Sequence, residues 1–412
     1  MESTIALSAH TQKYIDIEDQ YGAHNYHPLP VVLERGEGVF LWDVEGNRYY
    51  DFLSGYSAVN QGHCHPSIIA ALIEQAPKLT LTSRAFYSNL LGDFEKYITN
   101  YFGYDKVLPM NTGVEAVETA LKLSRRWGYD VKGIAENKAK VIVVEENFHG
   151  RTSTVISFST DPASYKGFGP FATGFVKIPY NNLAALEKAL QDKEVAAFLF
   201  EPIQGEAGVV VPDEGYLTGI RELCTKYNVL MVADEIQTGL ARTGKMLACD
   251  HENVRPDILI LGKALSGGTL PVSAVLADDM IMLTIKPGEH GSTYGGNPLA
   301  CAVAIASLKV LKEEKLAEKA AELGSFFRDE LKKLNSPFIE TIRGKGLLNA
   351  IVIKHTDKEA AWALCLQLKE NGLLAKPTHG DKIRFAPPLV ITKQQLAECV
   401  SLIHKSLQTL AR

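Results

Sequence analysis

The stretches VLMVADE at residues 229–235 and ILILGK at residues 258–263 decide the fold of this chain. Each opens with a continuous apolar run, which is typical of a strand that is buried on both faces of a sheet. Other short apolar runs and two helical patterns alternate along the same part of the chain, at residues 141–144, 183–190, 196–200, 216–227 and 272–277. This alternation predicts a mainly parallel sheet covered by helices, which is the α/β class.

The sequences on either side of this core have different patterns of predicted strands and helices. The segments Val-Phe-Leu-Trp at residues 39–42 and Tyr-Tyr-Asp-Phe at residues 49–52 flank the turn Glu45-Gly46-Asn47, which predicts a β-hairpin near the N-terminus. After about Gly296 come a helical region near residues 299–334 and two strands near residues 339–343 and 347–353. A helix from about Lys358 that Gly372 would end, a strand near residues 383–385 and a last helix follow. We therefore predict a large domain at residues 55–296, a smaller α+β domain at residues 297–412, and an N-terminal segment, residues 1–54, that packs with the small domain.

Composition narrows the class of protein. The 412 residues are 46% hydrophobic and 22% charged, with a formal net charge of -5, which argues against a nucleic-acid-binding surface. No apolar run reaches membrane-spanning length. The six cysteines are scattered without a C-x-x-C pair, which indicates reduced thiols, and the acidic N-terminus is unlike a secretory or transit peptide. We expect a soluble cytoplasmic protein, although a processed organellar enzyme would have the same features.

Polar residues follow two of the buried strands at the point where each ends. Asp234 follows residues 229–233, and Lys263 follows residues 258–261 after one glycine. Ligands bind at the carboxyl ends of parallel strands, and a buried lysine amine loses its charge when it forms a Schiff base with an aldehyde cofactor. Asp234 would then pair with a pyridinium nitrogen. Taken alone, Lys263 also fits a sheet-edge lysine that reaches solvent, and Asp234 fits a helix cap; the two together favour a cofactor site.

A phosphate site is predicted where a helix begins. Thr112 and Glu115 have the spacing of a capping box, and the residues after them have the apolar spacing of a helix. That pairing leaves the amides of Gly113 and Val114 for an anion at the positive end of the helix. A plain capped helix without a ligand is the alternative. Gly113 favours phosphate because a ligand can approach its backbone closely.

These residues lie within motifs that resemble the class III pyridoxal-phosphate (PLP) aminotransferase family. The signature-like run and its companions are at residues 232–239, 242–244, 256–258, 262–268, 62–66, 111–116, 148–151 and 201–202. Within that class, five segments are similar to the ornithine aminotransferases, at residues 81–87, 110–116, 201–209, 290–297 and 373–380. The resemblance implies PLP fold type I, with a mainly parallel seven-stranded sheet in the large PLP-binding domain, and a homodimer with sites at the subunit interface. It also implies ping-pong exchange between L-ornithine and 2-oxoglutarate, which gives glutamate 5-semialdehyde and glutamate.

Carried over to matching positions, the resemblance implies a role for each site residue. Lys263 is the Schiff-base lysine and Asp234 the pyridinium partner. The other cofactor positions are Gln237 at the phenolic oxygen, Phe148 on the ring, and Thr112, Gly113 and Val114 at the phosphate, with Ser292 and Thr293 of the partner subunit. The substrate positions are Tyr26, Tyr56 and Arg151, together with Glu206 and Arg384 as a switch pair. One departure is His149, where family members often carry an aromatic residue such as tryptophan; it leaves the tuning of the cofactor ring open.

Four other interpretations remain. An acetylornithine or 4-aminobutyrate aminotransferase would share the cofactor residues and differ around Tyr26, Tyr56 and Arg384. A PLP enzyme of another reaction type, such as an aminomutase, would share even more of the core. A catalytically inactive homologue that only binds ligand would share the fold. A metal site at His63-Cys64-His65 has no second cluster of ligands, and His65-Pro66 instead fits the start of a helix, so we expect no metal.

Overall fold

The computed structural model describes residues 7–411 of the chain. Helix α1 spans Ala9–Tyr21, and a hairpin-based sheet follows with strands β1 (Leu33–Glu37), β2 (Phe40–Asp43) and β3 (Arg48–Asp51). Strands β2 and β3 pair antiparallel, with Leu41 opposite Tyr49. Asp43 Oδ1 accepts hydrogen bonds from the amides of Glu45 (3.0 Å) and Asn47 (2.8 Å), which closes the turn. The predicted hairpin is therefore confirmed.

A seven-stranded sheet forms the centre of the molecule. Its strands are β4 (Lys106–Met110), β5 (Lys140–Val144), β6 (Phe175–Ile178), β7 (Val195–Phe200), β8 (Leu230–Asp234), β9 (Ile258–Leu261) and β10 (Ser273–Ala277). They lie in the order β4-β10-β9-β8-β7-β5-β6. Strand β10 pairs antiparallel with both β4 and β9, and all other neighbouring strands pair parallel. All residues of β7, β8 and β9 are buried, as their apolar sequences predict. This sheet confirms the predicted α/β fold class.

Helices connect and cover these strands. They are α2 (Ser54–Ser57), α3 (Pro66–Gln75), α4 (Leu91–Phe102), α5 (Gly113–Asp130), α6 (Ser153–Ile156), α7 (Pro162–Tyr165), α8 (Leu183–Leu190), α9 (Tyr216–Lys226) and α10 (Asp279–Met282). Short 3₁₀ turns occupy Ala248–Glu252 and Lys263–Ser266. Within residues 7–411, no helix combines the length and apolar character that crossing a bilayer requires.

The C-terminal part is built around a smaller sheet. Its elements are α11 (Pro298–Glu313), α12 (Leu316–Lys333), β11 (Ile339–Lys345), β12 (Leu348–Ile353), α13 (Ala360–Glu370), β13 (Leu373–Leu374), β14 (Lys376–Thr378), β15 (Lys382–Phe385) and α14 (Lys393–Leu407). The helical region predicted at residues 299–334 is two helices, because the chain turns at Lys315 with φ +53°. Strands β11, β12, β15 and β14 form one antiparallel sheet, whereas β13 pairs parallel with β3.

Candidate active site

Lys263 and Asp234 line the same cavity. Asp234 is the last residue of β8, and Lys263 comes two residues after the end of the adjacent parallel strand β9. The cavity has a volume of about 270 Å³ and is also lined by Phe148, Gln237 and Glu201. The structure therefore brings together the two side chains that the sequence places at the ends of buried strands.

The backbone and surroundings of Lys263 prepare its amine for chemistry. Lys263 has φ +44°, a left-handed conformation that is uncommon for a non-glycine residue and often marks a functional site. Burial lowers the pKa of its amine, against the attraction of Glu206. Within residues 7–411 the Lys263 ammonium has no ion pair within 4 Å. A lowered pKa makes the neutral, nucleophilic amine more available near neutral pH.

Asp234 is held by two contacts. Its Oδ2 lies 2.7 Å from His149 Nδ1, and its Oδ1 accepts a hydrogen bond of 3.1 Å from the Ile236 amide. Burial alone would lower the pKa of the His149 imidazole, but the hydrogen bond and charge of Asp234 outweigh it and the pKa is raised. His149, the position that departs from the family pattern, therefore bonds to Asp234. Carboxylate oxygens accept more than one hydrogen bond, so Asp234 keeps capacity for a pyridinium N–H.

The next residue, Glu235, points into the protein interior. Successive side chains of a strand alternate between its two faces, and Glu235 is fully buried. Its carboxylate accepts hydrogen bonds from the amides of Ala248 (3.0 Å) and Cys249 (2.8 Å). Asp234 therefore lines the cavity, whereas Glu235 stabilises the fold.

Glu201, to which the sequence assigned no role, is a second acidic group in this cavity. It follows β7, and its Oε1 accepts a hydrogen bond of 2.9 Å from the Phe148 amide. Burial raises the pKa of Glu201 to about 7, with His149 acting in the opposite direction. Its position after a buried strand, as for Asp234, was the available sequence signal.

The start of α5 offers two free amides. Thr112 and Glu115 form the predicted capping box, with Glu115 Oε2 accepting from the Thr112 amide at 2.9 Å. In the part of the chain that is described, the amides of Gly113 and Val114 have no hydrogen-bond acceptor. These amides point from the positive end of an 18-residue helix, so they suit a phosphate group.

Ser292 lies close to this helix start within the same chain. Its hydroxyl accepts a hydrogen bond of 2.8 Å from Asn111 Nδ2 and one of 3.0 Å from the Gly295 amide. Thr293 is exposed beside it. Their expected contribution to the phosphate site of a second subunit stays a prediction.

Glu206 and Arg384 form a close ion pair next to the cavity. Arg384 Nη1 lies 2.8 Å from Glu206 Oε1, and Arg384 on β15 is only 2% exposed. Burial would raise the pKa of Glu206, but Arg384 overrides it and the pKa falls to about 2. Gln237, which lines the cavity with Lys263, is hydrogen-bonded to both members of the pair.

The other predicted substrate residues surround this pair unevenly. The Tyr56 ring stacks under Arg384, with the guanidinium carbon 5.1 Å from the ring centre. Burial and then Glu206 raise the pKa of the Tyr56 phenol, and Tyr26 is near enough to contribute. Tyr26 itself is 73% exposed. Arg151 lies over the Phe148 ring at 5.5 Å and donates to Ser164 Oγ at 3.3 Å.

His63 and His65 bond to different partners. His63 Nε2 lies 2.7 Å from Asp51 Oδ2, and His65 Nε2 lies 2.8 Å from Glu314 Oε1. His65 precedes Pro66 at the first position of α3, as the sequence predicted. Within residues 7–411 there is no group of three or more His, Cys, Asp or Glu side chains placed to hold a metal ion.

Known proteins resemble this chain along nearly its whole length. The sequence model described as class-III aminotransferase matches residues 21–407. The mitochondrial ornithine aminotransferase of Rattus norvegicus is 68% identical over 390 residues, which are 95% of this chain and 89% of that relative. The structure of an ornithine aminotransferase from Toxoplasma gondii has a TM-score of 0.96 at 51% identity and covers 97% of this chain and 95% of its own. A structure named acetylornithine aminotransferase, from Elizabethkingia anophelis, has a TM-score of 0.89 at 61% identity and covers 97% of this chain and 99% of its own.

Proposed function

This chain belongs to the class-III aminotransferase family, and from that membership we propose that it transfers the 5-amino group of L-ornithine to 2-oxoglutarate. It is a transaminase that depends on pyridoxal phosphate. The products are glutamate 5-semialdehyde and glutamate, formed in two half-reactions that share one site. The observation that carries the choice of donor is the buried Glu206–Arg384 pair, which Gln237 links to the cavity of Lys263.

When bound, pyridoxal phosphate supplies an aldehyde that condenses with amines and a protonated ring that withdraws electrons from the substrate carbon. We propose that Lys263 holds its aldehyde end and Asp234 its ring nitrogen. The free amides of Gly113 and Val114, at the start of the helix that Thr112 caps, suit the phosphate. Phe148 and Gln237 line the same cavity and would contact the ring and its phenolic oxygen. Ser292 and Thr293 would serve the site of the other subunit.

Lys263 is proposed as the group that moves the proton. Its lowered pKa would let the freed amine accept a proton from the substrate carbon and deliver it to the aldehyde-derived carbon of the cofactor. In the second half-reaction it would carry a proton the opposite way, from that carbon to the carbon of the second substrate. His149 gives the Asp234 side chain a hydrogen bond, and the pKa of the His149 imidazole is raised. The chain thus supplies a mobile base on one side of the cavity and a fixed carboxyl group on the other.

The two substrates make opposite demands on Arg384. A 2-oxoglutarate carboxylate lies beside the reacting carbon and would bind the guanidinium, by about 1.5–3 kcal/mol per charged hydrogen bond. With ornithine bound at its terminal amine, an unpaired buried Arg384 would cost about 3–5 kcal/mol. Glu206 removes that cost by pairing with Arg384 in the first half-reaction and leaving it in the second. A permanent structural ion pair is the alternative.

The far end of ornithine carries a carboxylate and an ammonium group. Tyr26, Tyr56 and Arg151 are proposed to bind this end, because two phenols and a guanidinium can satisfy both charges. Arg151 lines the cavity with Lys263, which supports this assignment. The exposure of Tyr26 fits a residue at the entrance of the site.

An acetylornithine aminotransferase is the second candidate, since the Elizabethkingia anophelis structure of that name is 61% identical to this chain. N-acetylornithine lacks the charged α-ammonium group. A site that requires this charge would therefore discriminate against the acetylated donor. Comparing the two donors decides between the candidates.

The test is a donor panel with 2-oxoglutarate as acceptor. We expect L-ornithine to give the highest kcat/KM and the ring-closed form of glutamate 5-semialdehyde as product, with N-acetylornithine and 4-aminobutyrate well below it. Lys263→Ala should lose the visible absorbance band of the holoenzyme and nearly all turnover. Lys122→Ala, an exposed lysine near His290, is the matched control. Preferential use of N-acetylornithine would favour the acetylornithine aminotransferase instead. Full activity of Lys263→Ala would refute the proposed role of this lysine.

We propose that the chain acts as a homodimer with sites at the subunit interface. Phe86, Tyr87 and Tyr294 leave most of their rings exposed, and large exposed aromatic side chains are typical of interfaces. Light scattering should give about twice the chain mass of 45.2 kDa. A monomer that retains full activity would contradict both statements.

The domain division and location remain proposals. We propose units at residues 55–296 and 297–412, with residues 1–54 attached to the second, which the pairing of β3 with β13 supports. A cytoplasmic location is proposed from the sequence, whereas relatives from Rattus norvegicus and Drosophila melanogaster are named mitochondrial. Cell fractionation of the native protein distinguishes the two locations.

A further inference from the structure

The amide of Gln237 lies between the two members of the switch pair. Its Nε2 donates to Glu206 Oε1 at 3.0 Å, and its Oε1 accepts from Arg384 Nη1 at 3.1 Å. The same Nη1 also donates to Glu206 Oε1 at 2.8 Å. Three hydrogen bonds therefore close a ring of three side chains, and each of them involves a charged group.

The chemistry of the partners determines which way this amide is turned. A carboxylate such as Glu206 only accepts hydrogen bonds, and a guanidinium such as Arg384 only donates them. The reversed amide would oppose oxygen to oxygen and N–H to N–H. Gln237 keeps one N–H and one lone pair for other partners, so its proposed contact with the cofactor is compatible with this ring.

Gly205 provides the space for the Gln237 amide. A Cβ atom added to Gly205 would lie 1.6 Å from Gln237 Oε1 and 2.6 Å from the amide carbon. Gly205 does not have a positive φ, so its backbone alone would accept alanine. The absence of a side chain at Gly205 is therefore explained by the position of Gln237.

The hydrogen bonds between Gln237, Glu206 and Arg384 are costly to lose because Gln237 and Arg384 are buried. Gln237 is 7% exposed and Arg384 is 2% exposed, so water replaces lost partners poorly. Arg384 Nε is buried without a hydrogen-bond partner among the described residues, and the Tyr56 ring covers the guanidinium on one side. Arg384 consequently depends on Glu206 and Gln237 for its polar contacts.

We propose that Gln237, seated against Gly205, is a positioning residue that keeps Glu206 and Arg384 paired and so determines which amino donor reacts. The inference rests on the proposed exchange between ornithine and 2-oxoglutarate. With Gln237 in place, the pairing of Glu206 with Arg384 is favoured. A dicarboxylate must then displace both Glu206 and Gln237 to reach Arg384. Without it, Arg384 is freed more readily, and glutamate becomes a better donor relative to ornithine.

Two variants test this by separate routes. Gln237→Met removes both hydrogen bonds at similar volume, and Gly205→Ala displaces the amide while leaving it chemically intact. In single-turnover absorbance of the holoenzyme, the ratio of ornithine to glutamate reactivity should fall at least about tenfold in each. The affinity for glutarate, a dicarboxylate that cannot react, should rise by a similar factor in calorimetry. Gly92→Ala is the control, because a Cβ there meets nothing within 4 Å.

The outcomes separate this inference from the proposed function. If Gln237 only held the cofactor, both donors would slow by the same factor, glutarate affinity would stay unchanged, and the inference would be wrong. Retention of the wild-type ratio in Gly205→Ala would likewise overturn it. If the wild-type holoenzyme does not react with ornithine at all, the proposed function fails, whereas glutarate binding still reports on the Gln237 ring.

Discussion

At the scale of single residues, the contact between His149 and Asp234 has a pH dependence with a defined sign. Both side chains are buried and their nearest atoms lie 2.7 Å apart. The pKa of His149 is raised above its ordinary value of 6.5. The contact therefore contributes its full stability below about pH 6.5 and loses it as the pH rises through the higher folded value.

We accordingly expect His149→Phe to be most destabilising at low pH. The midpoint of thermal unfolding should differ most from wild type near pH 6, and the difference should shrink toward pH 9. His404→Phe, on an exposed face of α14, provides the comparison. A midpoint difference that is constant across this pH range would contradict the assignment.

Glu201 also makes the folded protein less stable as the pH rises. Burial raises the pKa of this carboxyl to about 7, so the folded protein holds a proton that the unfolded chain has already released above pH 4.5. Stability therefore decreases as the pH rises from about 4.5 to about 7, by up to about 3 kcal/mol.

The Glu201→Gln variant removes this penalty. Its thermal midpoint relative to wild type should increase between pH 5 and pH 8, because the wild type loses stability over that range and the neutral amide does not. Glu235→Gln is a poor control because its carboxylate is bonded within the fold. Glu222→Gln, at an exposed position, serves as the control instead. Parallel pH profiles for the wild type, Glu201→Gln and Glu222→Gln would argue against the raised pKa of Glu201.

Strand-end position made Lys263 and Asp234 predictable, because the residue after a buried strand in a parallel sheet faces the ligand edge. Glu201 has the same position directly after β7, so the same signal marks it. No local sequence pattern predicts the contact between Gly205 and Gln237, because it forms only after β8 and the segment after β7 have packed. Contacts of this kind require coordinates.

At the scale of elements, two of the seven strands of the large sheet were not predicted, and they are its edges. Strands β4 and β6 end the order β4-β10-β9-β8-β7-β5-β6. Edge strands are only partly covered, so their sequences need not be continuous apolar runs. Residues 106–110 contain a lysine and Pro109, and residues 175–178 contain Lys177. Proline is tolerated where one side of a strand has no neighbour.

The start of α5 depends on its contact with the loop at Gly150. A Cβ at Gly150 would lie 2.4 Å from Val114 Cγ2, and Gly150 has φ +123°, which strains any other residue. Gly150→Ala should therefore displace the helix start that offers the amides of Gly113 and Val114. We expect at least about a tenfold loss of pyridoxal phosphate affinity, measured by equilibrium dialysis.

The matched control for this change is Gly133→Ala. Gly133 also has a positive φ, +80°, but a Cβ there meets nothing within 4 Å. Both variants carry backbone strain, and only Gly150→Ala adds the clash with α5. Equal loss of cofactor affinity in both would show that strain alone is responsible.

At the scale of the whole molecule, Arg242 joins segments that are far apart in sequence. Its guanidinium donates to Asn60 Oδ1 at 2.6 Å and to the carbonyls of Leu347 (3.0 Å) and Pro387 (2.7 Å). It is fully buried, and burial lowers its pKa to about 9. The neutral acceptors come from the N-terminal part, the β11–β12 connection and the segment after β15.

Arg242→Lys should be strongly destabilising although the charge is kept. An ammonium group cannot reproduce a planar fork with three acceptors, and each buried acceptor left without a donor costs about 1–3 kcal/mol. We expect a loss of at least about 3 kcal/mol, seen as a lower denaturant midpoint. Arg126→Lys, in an exposed ion pair, should leave the denaturant midpoint nearly unchanged. Similar midpoints for the two variants would refute the joining role of Arg242.

The parallel pairing of β3 with β13 has a consequence for biosynthesis. Tyr50 and Asp51 are opposite Leu373 and Leu374, and the Phe52 amide donates to the Leu374 carbonyl at 2.9 Å. A ribosome releases residue 50 long before residue 373, so this edge of the N-terminal sheet has no native neighbour during most of translation. Nascent chains therefore expose an open strand edge to other nascent chains until the very end of synthesis, which is when a chaperone that shields such edges would be most useful.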